Sequence, residues 1–136
     1  MYDTILVATD GSDAADRAVD HAVNLASAFD ADLHAIHVVD TTRYGKSVLS
    51  GSDDVLEALE KQGRDVLETV SERADVAVRT KLLSGQPDTE IDAYAEEIDS
   101  DLIVIGNRGL GAGAAGQIGS VAERIVRTTD RPVITC

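Results

Sequence analysis

Short runs of apolar residues recur along this chain without polar alternation, each closing on a polar or glycine-containing turn. Ile5-Leu6-Val7-Ala8 and Leu102-Ile103-Val104-Ile105 are the purest of them, apolar at every position. A strand that is apolar on both faces belongs in a parallel sheet covered by helices on each side, not in a sheet with one wet face. The first run ends at Thr9-Asp10-Gly11-Ser12, where Ser12 is a good helix N-cap and Asp13 and Asp16 place negative charge in the first turn. Ala15, Ala18, Val19, Ala22, Leu25, Ala26 and Phe29 then recur at helical spacing until Asp30-Ala31-Asp32 breaks the pattern.

The same alternation continues. Leu33 to Val39 reads as a second strand, and residues 40–52 as a polar, glycine-containing loop. Ser52, Asp53 and Asp54 open a second helix whose stripe is Val55, Leu56, Leu59, Val66, Leu67 and Val70. Val76 to Leu83 is a third strand ending at Ser84-Gly85, and Pro87 fits the first turn of a helix carrying Ile91, Ala95 and Ile98 on one face. Leu102–Ile105 is strand four, Val121–Arg127 lies in helix four, and Pro132-Val133-Ile134-Thr135 is a short terminal strand. Connections this short between strands and helices in strict alternation predict right-handed crossovers. The expected fold is α/β: a doubly wound, Rossmann-like parallel sheet of five strands with helices on both faces, one domain over residues 1–136. Aromatic residues make up only 3% of the chain and Trp is absent, so Val, Ile, Leu and Ala must fill the core.

Charge narrows the partners. Twenty-five acids oppose twelve bases for a formal charge of −13, with seventeen Asp and only three Lys. Such a surface repels a phosphate backbone and an anionic membrane, so neither nucleic acid nor lipid is an expected partner. The acids are interleaved with apolar residues, which a disordered acidic tail would not show. An Asp-rich, Lys-poor surface fits a protein adapted to high salt, where screening removes self-repulsion. The lone Cys136 allows no internal disulfide, and no apolar run has membrane-spanning length, so a cytoplasmic location is expected.

Six of the eleven glycines fall within residues 106–119, GNRGLGAGAAGQIG, between strand four and helix four. A glycine-rich connection from a buried strand to a helix N-terminus is a way to hold phosphate: the bare backbone lets N–H groups approach the oxygens, and the helix adds unpaired donors and a favourable dipole. No GxxxxGK[ST] occurs, which excludes a Walker-type loop. Gly111, Gly113 and Gly116 match GxGxxG, but the match starts five residues beyond the strand, and the twenty residues after it leave no room for a second strand with a ribose-binding acid. A third spacing fits better: Gly106-x2-Gly109-x9-Gly119-Ser120.

Together with ILVATDGS (5–12), HVVD (37–40), SGQP (84–87), DLIVIGNRG (101–109), GSVAERIV (119–126) and RPVIT (131–135), that spacing resembles the universal stress protein family along essentially the whole chain. The resemblance implies the subclass carrying an ATP-binding signature, G-x2-G-x9-G-[S/T]. It implies that Asp10 and the backbone of Val38 hold the adenine and ribose end, and that Gly106, Asn107, Gly109, Gly119, Ser120 and Val121 hold ribose and phosphates. It further implies ATP, ADP or AMP as ligand, with Mg2+ or Mn2+ carried mainly by the phosphates, a stress-response or sensor role, and a homodimer formed through the terminal strand. Positions 110–118 depart from the family pattern, being smaller than its usual bulky, often basic loop.

The remaining candidates read more plainly. Asp10 also suits a turn residue capping helix one, and both roles can hold together. His34 and His37 lie three apart on a strand and face opposite sides, and His21 is on a helix, so core or solvated roles are expected instead of a metal site. Cys136 has no base partner in sequence and reads as a small apolar residue. No residue marks a general base for hydrolysis. The rival functions are a nucleotide-independent interaction or protective protein of the same fold, and a slow adenine-nucleotide hydrolase.

Overall fold

The computed structural model describes residues 2–42, 53–107 and 119–136. Five strands, β1 (Thr4–Ala8), β2 (Asp32–Asp40), β3 (Val78–Gly85), β4 (Leu102–Ile105) and β5 (Val133–Thr135), alternate with four helices, α1 (Asp13–Phe29), α2 (Asp53–Arg73), α3 (Pro87–Glu97) and α4 (Ser120–Thr128). The strands form one parallel sheet in the order β3-β2-β1-β4-β5. This is the doubly wound, Rossmann-like α/β fold expected from the alternation.

The reason for the unalternating strands is visible in the core. Ile5, Val7, Leu33, Ala35, Leu102 and Val104 point to one face and pack with Ala18, Val19, Ala22 and Ala26 of α1 and Leu67 and Val70 of α2. Leu6, Ala8, Ile36, Ile103 and Ile105 point the other way, against Ile91 and Ala95 of α3 and Ala122 and Ile125 of α4. Period-two geometry sends neighbours to opposite faces, so a strand between two helical layers must be apolar throughout. Ser12 caps α1 by accepting the Ala15 N–H at 3.2 Å, and Pro87 occupies the first turn of α3. At the start of β1, the Asp101 carboxylate accepts the N–H groups of Asp3 (2.8 Å) and Thr4 (3.0 Å), which hold it below the usual carboxylate pKa range.

Several boundaries differ from expectation. β3 begins at Val78, not Val76, and runs through Gly85, because β2 offers ladder partners from Leu33 to Asp40 and pairs Val39 with Ser84 and Asp40 with Gly85. Pro132 lies outside β5, although its carbonyl accepts the Ile103 N–H at 3.0 Å. Phe29, placed on the apolar stripe of α1 by its spacing, is 41% exposed and rests edge-on against Tyr2. Residues 43–52 of the expected loop, Ser52 included, lie outside the described residues.

His34 and His37 do face opposite layers. His34 is buried on the α3 side, its Nδ1 3.3 Å from the Tyr94 hydroxyl. Burial, reinforced by the Arg79 cation and opposed by Asp32, pushes its pKa below the ordinary 6.5. The folded protein therefore binds this proton less readily than the unfolded chain does. Its contribution is complete above the ordinary value and falls as pH drops through it toward the lowered folded value. Thermal midpoints measured from roughly pH 7 to 5 should fall less steeply for His34→Gln than for the wild-type protein; parallel curves would contradict this.

Candidate functional site

β1 has β2 on one side and β4 on the other, while the chain winds outward from β1 through β2 and β3 and only then returns to β4. The strand order therefore reverses between β1 and β4, which opens a crevice beyond their carboxyl ends. Ala8 pairs with Ile105 across that seam, so Thr9-Asp10 and Gly106-Asn107 leave the sheet side by side.

The β1 side is a tightly bonded turn. Thr9 is buried; its N–H donates to the Ile36 carbonyl at 3.0 Å, and its hydroxyl accepts the Gly11 N–H at 3.2 Å. Gly11 has φ +81°, a left-handed conformation that glycine adopts without strain. One Asp10 oxygen accepts the Ser12 N–H at 2.9 Å, so this carboxylate does shape the start of α1. The half-buried residue also stands at the rim of the crevice, where a carboxylate can accept hydroxyl hydrogens.

On the β4 side, Gly106 meets the first turn of α1. A Cβ there would lie 2.8 Å from the Ala14 carbonyl carbon and 2.8 Å from the Ala15 nitrogen, so the two chain segments touch backbone to backbone. Asn107 is held through its main chain: its N–H donates to the Cys136 carbonyl at 2.6 Å, and its carbonyl accepts the Gly119 N–H. That second bond brings the end of β4 to the start of α4. Gly119 is the α4 N-cap, and no side chain among the described residues caps this helix, in contrast to Ser12 on α1. Ser120, the first helical residue, is exposed, and Val121 is half-buried against the α3–α4 layer.

Asp10, Gly106, Asn107, Gly119 and Ser120 thus gather at the carboxyl edge of β1 and β4, on the segments that leave or approach those strands. Val38 lies in β2, its backbone opposite Leu83 of β3 and its side chain in the α3–α4 layer. Gly109, with Arg108 and positions 110–118, lies outside the described residues. Two residues not expected among the site residues take part in the turn: Thr9 through its hydroxyl, and His37, for which a core or solvated role was expected, whose Nδ1 lies 2.9 Å from the Thr9 carbonyl oxygen. Only the position of His37 near a strand end could have flagged it.

A cleft of about 270 Å³ opens on the α1–α2 side of the same turn, lined by Thr9, Gly11, Gln62, Asp65 and Thr69 among others. Its Arg73 is engaged by Asp16 (3.4 Å) and Asp20 (2.8 Å), and with Asp16 and Asp65 in its lining the cleft carries net negative charge, which disfavours a phosphate there. Among the described residues no three His, Cys, Asp or Glu side chains cluster as a metal site, and no helix is long and apolar enough to cross a membrane.

The profile of the universal stress protein family matches residues 1–136. A universal stress protein of Methanocaldococcus jannaschii is 37% identical over 138 aligned residues, spanning 98% of this chain and 81% of the relative. The universal stress protein UspA from Lactobacillus plantarum superposes with a TM-score of 0.87 at 31% identity, covering 98% of this chain and 97% of its own. A universal stress protein solved in complex with cAMP superposes with a TM-score of 0.66 at 27% identity, over 99% and 96% of the two chains. The apolar two-faced strands, the seam between β1 and β4 and these likenesses agree, and the chain belongs to the universal stress protein family.

Proposed function

We propose that this protein is a single-domain cytoplasmic sensor that binds an adenine nucleotide, ATP in the first instance, in the crevice between β1 and β4. Asp10 and the Val38 backbone would take the adenosine end. Gly106, Asn107, Gly109, Gly119, Ser120 and Val121 would take ribose and phosphates, with Mg2+ or Mn2+ carried mainly by the phosphates themselves. The observation that carries this reading is the start of α4, a helix N-terminus without a side-chain cap among the described residues, bonded back to the end of β4 beside the Asp10 turn. First-turn N–H groups and the exposed Ser120 hydroxyl are donors suited to phosphate oxygens. The G-x2-G-x9-G-S spacing at 106, 109, 119 and 120 and the relative that binds cAMP support the adenine nucleotide as ligand class.

Calorimetric titration with Mg·ATP tests it. The wild-type protein should bind, and the double variant Gly109→Val/Ser120→Ala should bind at least roughly tenfold more weakly, since it loses one charge-assisted donor and gains bulk where backbone must approach phosphate. Unchanged affinity in the double variant would refute the placement.

A homodimer through β5 and an adaptation to high salt complete the proposal. β5 is an edge strand whose apolar Val133 and Ile134 suit pairing with a second copy, and the −13 charge suits screening. Light scattering and melting in low and in molar KCl check both: a dimer that melts at a higher temperature in molar KCl is expected, and a salt-insensitive monomer would count against both.

A further inference from the structure

We infer that His37 is a positioning residue for the crevice, holding the Thr9–Ser12 turn, and with it the Asp10 carboxylate, in the arrangement that ligand binding uses. The binding half of this inference rests on the nucleotide reading above. The parallel ladder between β1 and β2 ends at the pair Ala8–Ile36. Beyond it, two consecutive β2 residues grip Thr9: the Ile36 carbonyl accepts its N–H at 3.0 Å, and the His37 ring meets its carbonyl at 2.9 Å. A carbonyl oxygen can only accept, so Nδ1 carries the proton and donates. Thr9 passes the constraint onward, since its hydroxyl accepts the Gly11 N–H, and the next link is the Asp10 oxygen that accepts the Ser12 N–H.

The far side of the ring is fixed as firmly. Gly63, buried inside α2, lies against it: a Cβ at that position would stand 2.6 Å from His37 Cδ2 and 2.6 Å from Leu82 Cδ1. Glycine in a helix interior is unfavourable, and here its bareness is what lets the ring and the Leu82 side chain sit close against α2. The imidazole thus lies between α2 and the turn after β1, with Gly63 against one side and the Thr9 carbonyl at the other. A histidine serving only as packing would need the ring shape but not the donor.

Two substitutions separate those roles. In His37→Asn the side-chain amide nitrogen can stand where Nδ1 stands; His37→Phe keeps a ring and removes the donor. Mg·ATP affinity should stay within about twofold of wild type in the Asn variant and fall roughly threefold to tenfold in the Phe variant, the range for one lost hydrogen bond. Amide hydrogen exchange at Gly11 and Ser12, followed by NMR without nucleotide, should speed up in the Phe variant and not in the Asn variant. Gly63→Ala, which leaves His37 in place but crowds its ring, should behave like the Phe variant and serves if that variant folds poorly. Equal affinities in all variants, or equal losses for Asn and Phe, would overturn the positioning role. A wild-type protein that binds no adenine nucleotide would overturn the binding half alone. The exchange data then decide the rest: acceleration confined to the Phe and Gly63 variants upholds the pinned turn, and unchanged exchange overturns it.

Discussion

Gly106→Ala should unfold at a clearly lower denaturant concentration than the wild-type protein, with a stability loss of about 1–3 kcal/mol, the usual range for forcing atoms into a filled interior. The new methyl carbon would meet the Ala14 carbonyl carbon and the Ala15 nitrogen at 2.8 Å and the Ala14 carbonyl oxygen at 3.0 Å. All three are backbone atoms, so no rotamer change relieves the contact. Neither partner can retreat easily. β4 is paired on both edges, with β1 and β5, and the first turn of α1 is held by the Ser12 cap and by the buried side chains of Ala14 and Ala15. The relaxation that remains is to part the end of β4 from the start of α1, which widens the seam where the crevice lies. Nucleotide affinity should therefore fall along with stability. Urea denaturation gives the first quantity and calorimetry the second; a midpoint equal to the wild-type value would contradict the close approach.

Asp10→Ala should weaken Mg·ATP binding roughly tenfold to hundredfold, the range for losing hydrogen bonds to a charged group. This substitution alone would be ambiguous, because the Asp10 carboxylate also accepts the Ser12 N–H and helps start α1. Asp10→Asn resolves the ambiguity, since its amide oxygen can still take that N–H while the charge is gone. The Asn variant should keep near-wild-type stability yet bind ATP distinctly more weakly. If Asn restores both stability and affinity, Asp10 is a turn former and the ribose role assigned to it is wrong.

The sheet was readable because a two-sided core leaves a mark that local sequence can carry. Ile5 to Ala8 and Leu102 to Ile105 lack polar alternation for the same reason that their odd and even positions feed different helical layers. The strand order was not readable in this way. Composition says that β1 and β4 are buried, but their adjacency is a pairing between residues about a hundred positions apart, and only the structure supplies it. With Gly106, glycine richness pointed to phosphate, yet the constraint the structure shows at this position is the backbone of α1 pressed against it. His37 shows the same limit. Its place on a strand and the face it takes follow from period two, but its hydrogen bond goes to a carbonyl in the turn after β1, and nothing in local spacing announces a tertiary partner. Phe29 erred in the opposite direction: its helical spacing was right, but it sits at the last turn of α1, past the edge of the covered sheet.

Amide hydrogen exchange of the wild-type protein with and without Mg·ATP reads the crevice between β1 and β4 without altering a residue. Slower exchange with nucleotide is expected at Gly106, Asn107, Gly119, Ser120 and Val121, together with the 10–12 turn, while the α1–α2 cleft around Gln62 and Thr69 is unaffected. Protection centred on that cleft, or no protection anywhere at saturating Mg·ATP, would contradict nucleotide binding in the crevice.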